Sequence, residues 1–210
     1  MTLDAQTLID MALDVNIAPS TWFTQWDELG DWQFDILKRC GLQPEHRLLD
    51  IGCGPLRLGA LAIPYLDPDH YCGIDPTGPL LALGRKVIDR LGIDRRYSLL
   101  QSGAFEFGRF GVQFDFAIAQ SVITHLSEAQ ITACFSALKA VMRPGGRFIF
   151  TYLLARHAAP LGFLMDGVVP MIRPGLADER LFANLADRLG FCFVASDEPH
   201  PSQKVGICTF

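Results

Sequence analysis

The stretch Leu48–Gly59, LLDIGCGPLRLG, decides how the rest of the chain is read. An apolar run ends in Asp50, Gly52 and Gly54 follow with one residue between them, and a helical pattern opens near Leu56. Glycine has no Cβ to obstruct unusual torsions or a close approach, so Gly52–Pro55 reads as a bare loop from a strand into a helix. In an open parallel sheet such loops leave the carboxyl ends of the strands, which is where ligands bind.

Outward from that loop, strand and helix patterns alternate, the signature of a sheet covered by helices on both faces. Strands are expected at Arg47–Ile51, His70–Ile74, Tyr97–Gln101, Phe114–Ala119 and Arg147–Leu154. Helices are expected between them at Arg57–Tyr65, Pro79–Leu91 and Glu128–Met142, each supplying a crossover. Ahead of them lie helices over Leu3–Val15 and Thr21–Cys40, the second ending where Gly41 supplies a C-terminal cap. The tail adds a helix at Asp178–Leu189, a strand in FCFVAS and a returning antiparallel strand in KVGICTF. With no repeat or linker, residues 1–210 are expected to form one domain. Its parts are a helical cap (1–45), a ligand-binding core (46–155), a segment over the substrate (156–176) and a C-terminal helix with a strand pair (177–210).

The chain has 210 residues, half of them apolar and 20% charged, enough for a substantial core. Its formal charge of −5 gives no general attraction to a phosphate backbone, so no nucleic-acid partner is expected. Arg85, Lys86, Arg90, Arg95 and Arg96 cluster, but on and just after a helix, where a solvated face accounts for them. The six cysteines lack zinc-site spacing and read as reduced, mostly buried residues. The acidic N-terminal segment is unlike a signal peptide, and no run reaches membrane-spanning length. A cytoplasmic protein without membrane contact is therefore expected. No acidic cluster suited to a metal follows a strand.

Charge and spacing choose the ligand of the opening loop. A dinucleotide brings a pyrophosphate to the helix N-terminus and usually needs Gly-x-Gly-x-x-Gly, whereas Arg57 stands at the third position here. Asp50 would repel that anion, and the cost grows as water is removed. S-adenosylmethionine carries a sulfonium, an ammonium and a carboxylate, so an acidic loop suits it. Asp75, 25 residues after Asp50 at the end of the second strand, can accept both ribose hydroxyls; capping the next helix is the alternative. Pro76 presets the turn behind it.

In LLDIGCGPLRLG, YCGIDP, FDFAIAQSVITHLS and MRPGGRFIFTYL, the chain resembles class I S-adenosylmethionine-dependent methyltransferases, over about Gly41 to Tyr152. The resemblance implies a three-layer, Rossmann-like, seven-stranded and mostly parallel sheet with an antiparallel last strand. It makes Asp50, Gly52 and Gly54 the loop for the cofactor's amino-acid end and Asp75 the ribose acceptor. Gln120 and Ser121 would lie beside the sulfonium. Two departures stand out: Leu56 occupies a position where relatives often have a third glycine, and QSGAFEF replaces their acidic adenine acceptor. Ala104 and Phe105, with backbone groups or Glu106, are left to contact adenine.

The remaining site residues follow from the chemistry of a methyl group already activated on sulfur. The protein must align an acceptor and exclude water, and needs a base only for an acceptor that is protonated. His125 is the candidate base, with bracing of its loop as the alternative. Arg57 would pair with the cofactor carboxylate or be an exposed helix residue. Trp22 and Trp26 would offer flat area to the acceptor or pack in the core. Tyr152 and His157 are further substrate-side candidates. The apolar segment 156–175 would cover a small organic acceptor or form a homodimer contact. The expected reaction is methyl transfer to a small metabolite, on oxygen first and nitrogen or sulfur next, yielding S-adenosylhomocysteine. The alternatives are a non-catalytic binding protein of the same fold and an RNA-modifying methyltransferase. Asp75→Ala is expected to weaken cofactor binding and leave folding nearly intact.

Overall fold

The structure, a computed structural model, describes residues 3–18, 25–154, 176–177 and 179–210. Two compact units divide it, Met1–Glu106 and Phe107–Phe210. The fold class is the expected one: α/β, with mostly parallel strands, an antiparallel strand last in the chain, and helices between the strands.

The first unit runs α1 (Ala5–Leu13), α2 (Trp26–Arg39), β1 (Leu48–Ile51), α3 (Gly59–Tyr65), β2 (Tyr71–Asp75), α4 (Gly78–Arg90) and β3 (Ser98–Gln101). Its strands lie in the order β3-β2-β1 and are parallel throughout. Both β1 and β2 are buried along their whole length, as strands covered on two faces must be. The Asp4 carboxylate accepts the Thr7 N–H at 2.8 Å and so caps α1. Gly41, at φ 95°, closes α2 where the sequence placed the stop. Residues 19–24, the start of the helix expected at Thr21–Cys40, fall outside the described residues. Leu8, Ala12 and Ile17 pack with Trp26, Leu83 and Val87 in one apolar cluster, which fastens α1 to α4.

The second unit contains β4 (Phe114–Ala119), α5 (Glu128–Val141), β5 (Met142–Leu154), β6 (Leu176–Ala177), α6 (Glu179–Leu189), β7 (Cys192–Ser196) and β8 (Lys204–Thr209). Ser127 and Gln130 form a reciprocal capping box at the start of α5. The strand order is β4-β5-β8-β7, with β8 inserted antiparallel to both neighbours. Most boundaries shift by a residue or two, and β5 shifts further. β5 begins at Met142 instead of Arg147, because Met142 already pairs with Phe114 ahead of an irregularity in the ladder. The two-residue β6, parallel to β5, was not foreseen. The core is aromatic: Phe135 meets Phe148, Phe150, Phe182 and Phe191 at centroid distances of 5.3, 5.4, 5.8 and 5.7 Å.

Candidate functional site

The loop after β1 is held in shape by the end of β2. Gly52 and Gly54 both take left-handed torsions, φ 68° and 51°, and the Gly54 N–H donates to Asp75 Oδ2 at 3.0 Å. The other carboxylate oxygen, Oδ1, accepts the Thr77 N–H at 2.8 Å, just before α4. Burial raises the Asp75 pKa, and the N–H groups of Thr77 and Gly54 oppose that rise. Asp75 therefore joins the glycine loop to the next turn whatever else it accepts, and removing its carboxylate cannot leave the fold untouched. Gly73 keeps the cradle closed from below, since a Cβ there would lie 2.8 Å from Cys53 Sγ. On the outer side, a Cβ at Gly54 would meet nothing within 4 Å.

Leu56, the residue where relatives often have glycine, takes φ 63° and is fully buried. Left-handed torsions cost a leucine roughly 1–2 kcal/mol. Packing offsets the strain: Cβ atoms at Gly59 and Gly84 would lie 2.9 and 2.7 Å from Leu56 side-chain atoms, so both glycines make room for it.

Asp50 is 2% exposed and accepts the Tyr71 hydroxyl through Oδ2 at 2.6 Å. Burial pushes its pKa up to about 7, against the opposing pull of Tyr71 and the nearby Arg57 charge, while Asp75 adds to the rise. Arg57 is half-buried, which rules out the exposed-helix reading. Its Nε donates to Gln33 Oε1 on α2 at 3.1 Å. Burial lowers its pKa to about 10, with Asp50 acting in the other direction, so it stays cationic at neutral pH. One titrating carboxyl and one cation thus share the mouth of the loop.

The turn after β3 is ordered by Ser102. Its hydroxyl donates to Glu106 Oε2 at 2.7 Å and accepts the Ala104 N–H at 3.1 Å. That turn places half-buried Phe105 at φ 53°. Pro76 is exposed, and its carbonyl accepts from the Gln101 amide at 3.3 Å.

In the second unit, Ser121 follows β4 at φ 57°, and its neighbours fix it on every side. Its N–H donates to Thr151 Oγ1 at 2.7 Å, its carbonyl accepts from Thr124 at 3.1 Å, and its Oγ accepts from the amides of Gln120 and Gln203 at 2.8 and 2.7 Å. His125 ends a one-turn helix, Ile123–His125. Its surface is open, yet the surrounding chain desolvates the ring and lowers its pKa. Tyr152 is fully buried and donates to Glu179 Oε1 at 2.9 Å; burial and that carboxylate raise its pKa. It also lines a cavity of about 350 Å³ together with Glu198, His200, Gln203 and Lys204.

Within the first unit the structure brings Asp50, Gly52, Gly54, Arg57 and Asp75 to one loop; within the second it joins Gln120 to Ser121. Trp26, at 7% exposure, lies in the α1–α4 cluster, which is the core-packing alternative. Trp22, His157 and the apolar segment 156–175 fall outside the described residues. Gln33, Tyr71, Thr151 and Gln203 escaped the sequence reading. The only available signals were a glutamine on the apolar face of a helix and polar residues inside, or just ahead of, strands.

Residues 49–148 match a family model described as a methyltransferase domain. Magnesium protoporphyrin IX methyltransferase (ChlM) from Synechocystis PCC 6803, solved with bound S-adenosylhomocysteine, superposes with a TM-score of 0.66 at 15% identity, covering 98% of this chain and 95% of that one. The methyltransferase domain of bacterial CtHen1-C gives 0.63 at 22% identity over 89% and 98%. CalS10, an amino pentose methyltransferase from Micromonospora echinaspora, gives 0.63 at 15% over 88% and 91%. At such identities these structures establish the fold alone. The likeness to a methyltransferase domain thus spans residues 49–148, a little under half of the chain.

Proposed function

We propose that this chain moves a methyl group from S-adenosylmethionine to a small organic acceptor, oxygen first, with nitrogen or sulfur as the next choices. The observation that carries the reading is the glycine loop edged by two buried carboxylates, Asp50 and Asp75, with no third glycine for a pyrophosphate. Such a loop favours a cationic nucleoside over a diphosphate. The open space beyond Gly54 suits a ligand lying against bare backbone.

The cofactor supplies a methyl group activated by its sulfonium. Asp75 keeps lone-pair capacity for a ribose hydroxyl beyond the Gly54 and Thr77 N–H groups and the Thr77 hydroxyl that it already accepts. Asp50 and Arg57 are the counter-charges for the ammonium and the carboxylate. Ala104 and Phe105 border the adenine, and Gln120 and Ser121 serve the sulfonium end. His125 accepts a proton where the acceptor is an alcohol. Tyr152 lines a cavity that would take part of the acceptor, and its phenol is committed to Glu179.

Calorimetric titration with S-adenosylhomocysteine and with NADH tests the cofactor. Binding of the first alone is expected, and binding of NADH alone would refute the proposal. Transfer of a labelled methyl group into metabolite pools then separates an enzyme from a protein that only binds.

A further inference from the structure

We propose that Gln33 and Gly30 of α2 are positioning residues: they hold the Arg57 guanidinium ready for the carboxylate of an α-amino-acid group whose ammonium is taken by Asp50. The inference rests on the cofactor reading above and extends its site to a helix that no glycine or acidic motif marks.

Gly30 and Gln33 stand three residues apart on α2 and so share one face of it. Both are buried, Gln33 at 5% exposure. The Gln33 carbonyl accepts Arg57 Nε at 3.1 Å. Gly30 clears the path of the stem: a Cβ there would lie 3.3 Å from Arg57 Cγ and 3.6 Å from the Arg57 carbonyl. Helix and arginine are thus fitted together by a missing side chain at one point and a hydrogen bond at the next.

The fit matters because arginine is long and loses much rotamer freedom when a ligand immobilises it. Holding it beforehand moves that cost out of the binding step. Asp50 and Arg57 lie within electrostatic reach of each other, and both are shielded from water. The tethered guanidinium and the Asp50 carboxyl interact electrostatically, and an ammonium ligand would favour the ionised form of Asp50. An α-amino acid carries the complementary pair on one carbon.

The test compares two ligands that share the nucleoside and the sulfur. S-adenosylhomocysteine has the amino-acid end, and 5′-methylthioadenosine lacks it. Calorimetry on the full chain is expected to show Gln33→Leu and Gly30→Ala each weakening S-adenosylhomocysteine by about tenfold, with 5′-methylthioadenosine unchanged. Alanine is favoured over glycine inside a helix, so Gly30→Ala guards against loss of the fold as the explanation. Equal weakening of both ligands, or undiminished S-adenosylhomocysteine binding in both variants, would overturn the inference. A wild-type chain that binds neither ligand would remove the cofactor reading itself, and this inference with it.

Discussion

Replacing Asp50 with asparagine should make the protein more stable at alkaline pH while weakening its hold on a cationic cofactor. The wild-type carboxyl rises from 3.8 to about 7 on folding because it is buried, and the Tyr71 hydroxyl and Arg57 only partly offset that. Between those two values the folded chain keeps a proton that the unfolded chain has released, so stability falls as pH rises through the window and levels off above it. The whole window is worth about 4 kcal/mol, of which roughly 2–3 kcal/mol falls between pH 5 and pH 8. For a chain of this size that corresponds to about 5–10 °C in melting temperature. Asparagine keeps an oxygen for the Tyr71 hydroxyl but does not titrate. Melting both proteins at pH 5 and pH 8 in the same salt cancels every other titrating group. The variant's advantage is expected to grow by the stated amount, and its affinity for S-adenosylhomocysteine to drop. Parallel pH profiles for the two proteins would refute the account of a buried carboxyl kept for its ligand.

Three further outcomes are expected. Asp75→Ala should cost about 1–3 kcal/mol in denaturant unfolding as well as cofactor affinity, because it strips the N–H groups of Gly54 and Thr77 of their acceptor; an unfolding curve unchanged from wild type would contradict this. Gly206→Ala should lose about 1–3 kcal/mol, since its Cβ would run into the Phe150 ring, 2.8 Å from Cε1. In a Phe150→Leu background that loss should shrink, and strict additivity would show that the ring is not the obstacle. Ser127→Ala should lower stability by about 1 kcal/mol through the broken capping box, with thermal melting as the check.

Much of the architecture was legible because periodicity records which face of an element meets the core. β4 fell at Phe114–Ala119 as read, and α4 and α6 within a residue or so of their expected ends. The glycine pair after β1 and the acid ending β2 were legible for a related reason: torsion and charge requirements act locally and leave local traces. The insertion of β8 between β5 and β7 depends on pairing between distant segments, which the chain's own order does not display.

The alternation of strand and helix patterns marked the fold class, and the charge and spacing of Asp50, Gly52, Gly54 and Asp75 pointed to the kind of ligand. Only tertiary structure decided what each of those residues does besides: that Asp75 also ties the loop, that Asp50 is held by Tyr71, and that Arg57 leans on Gln33. It also decided that Leu56 can sit where a glycine is usual, because Gly59 and Gly84 leave it room. Hydrogen bonds and close contacts act over a few ångströms between elements tens of residues apart, so they exist only once register and packing are set.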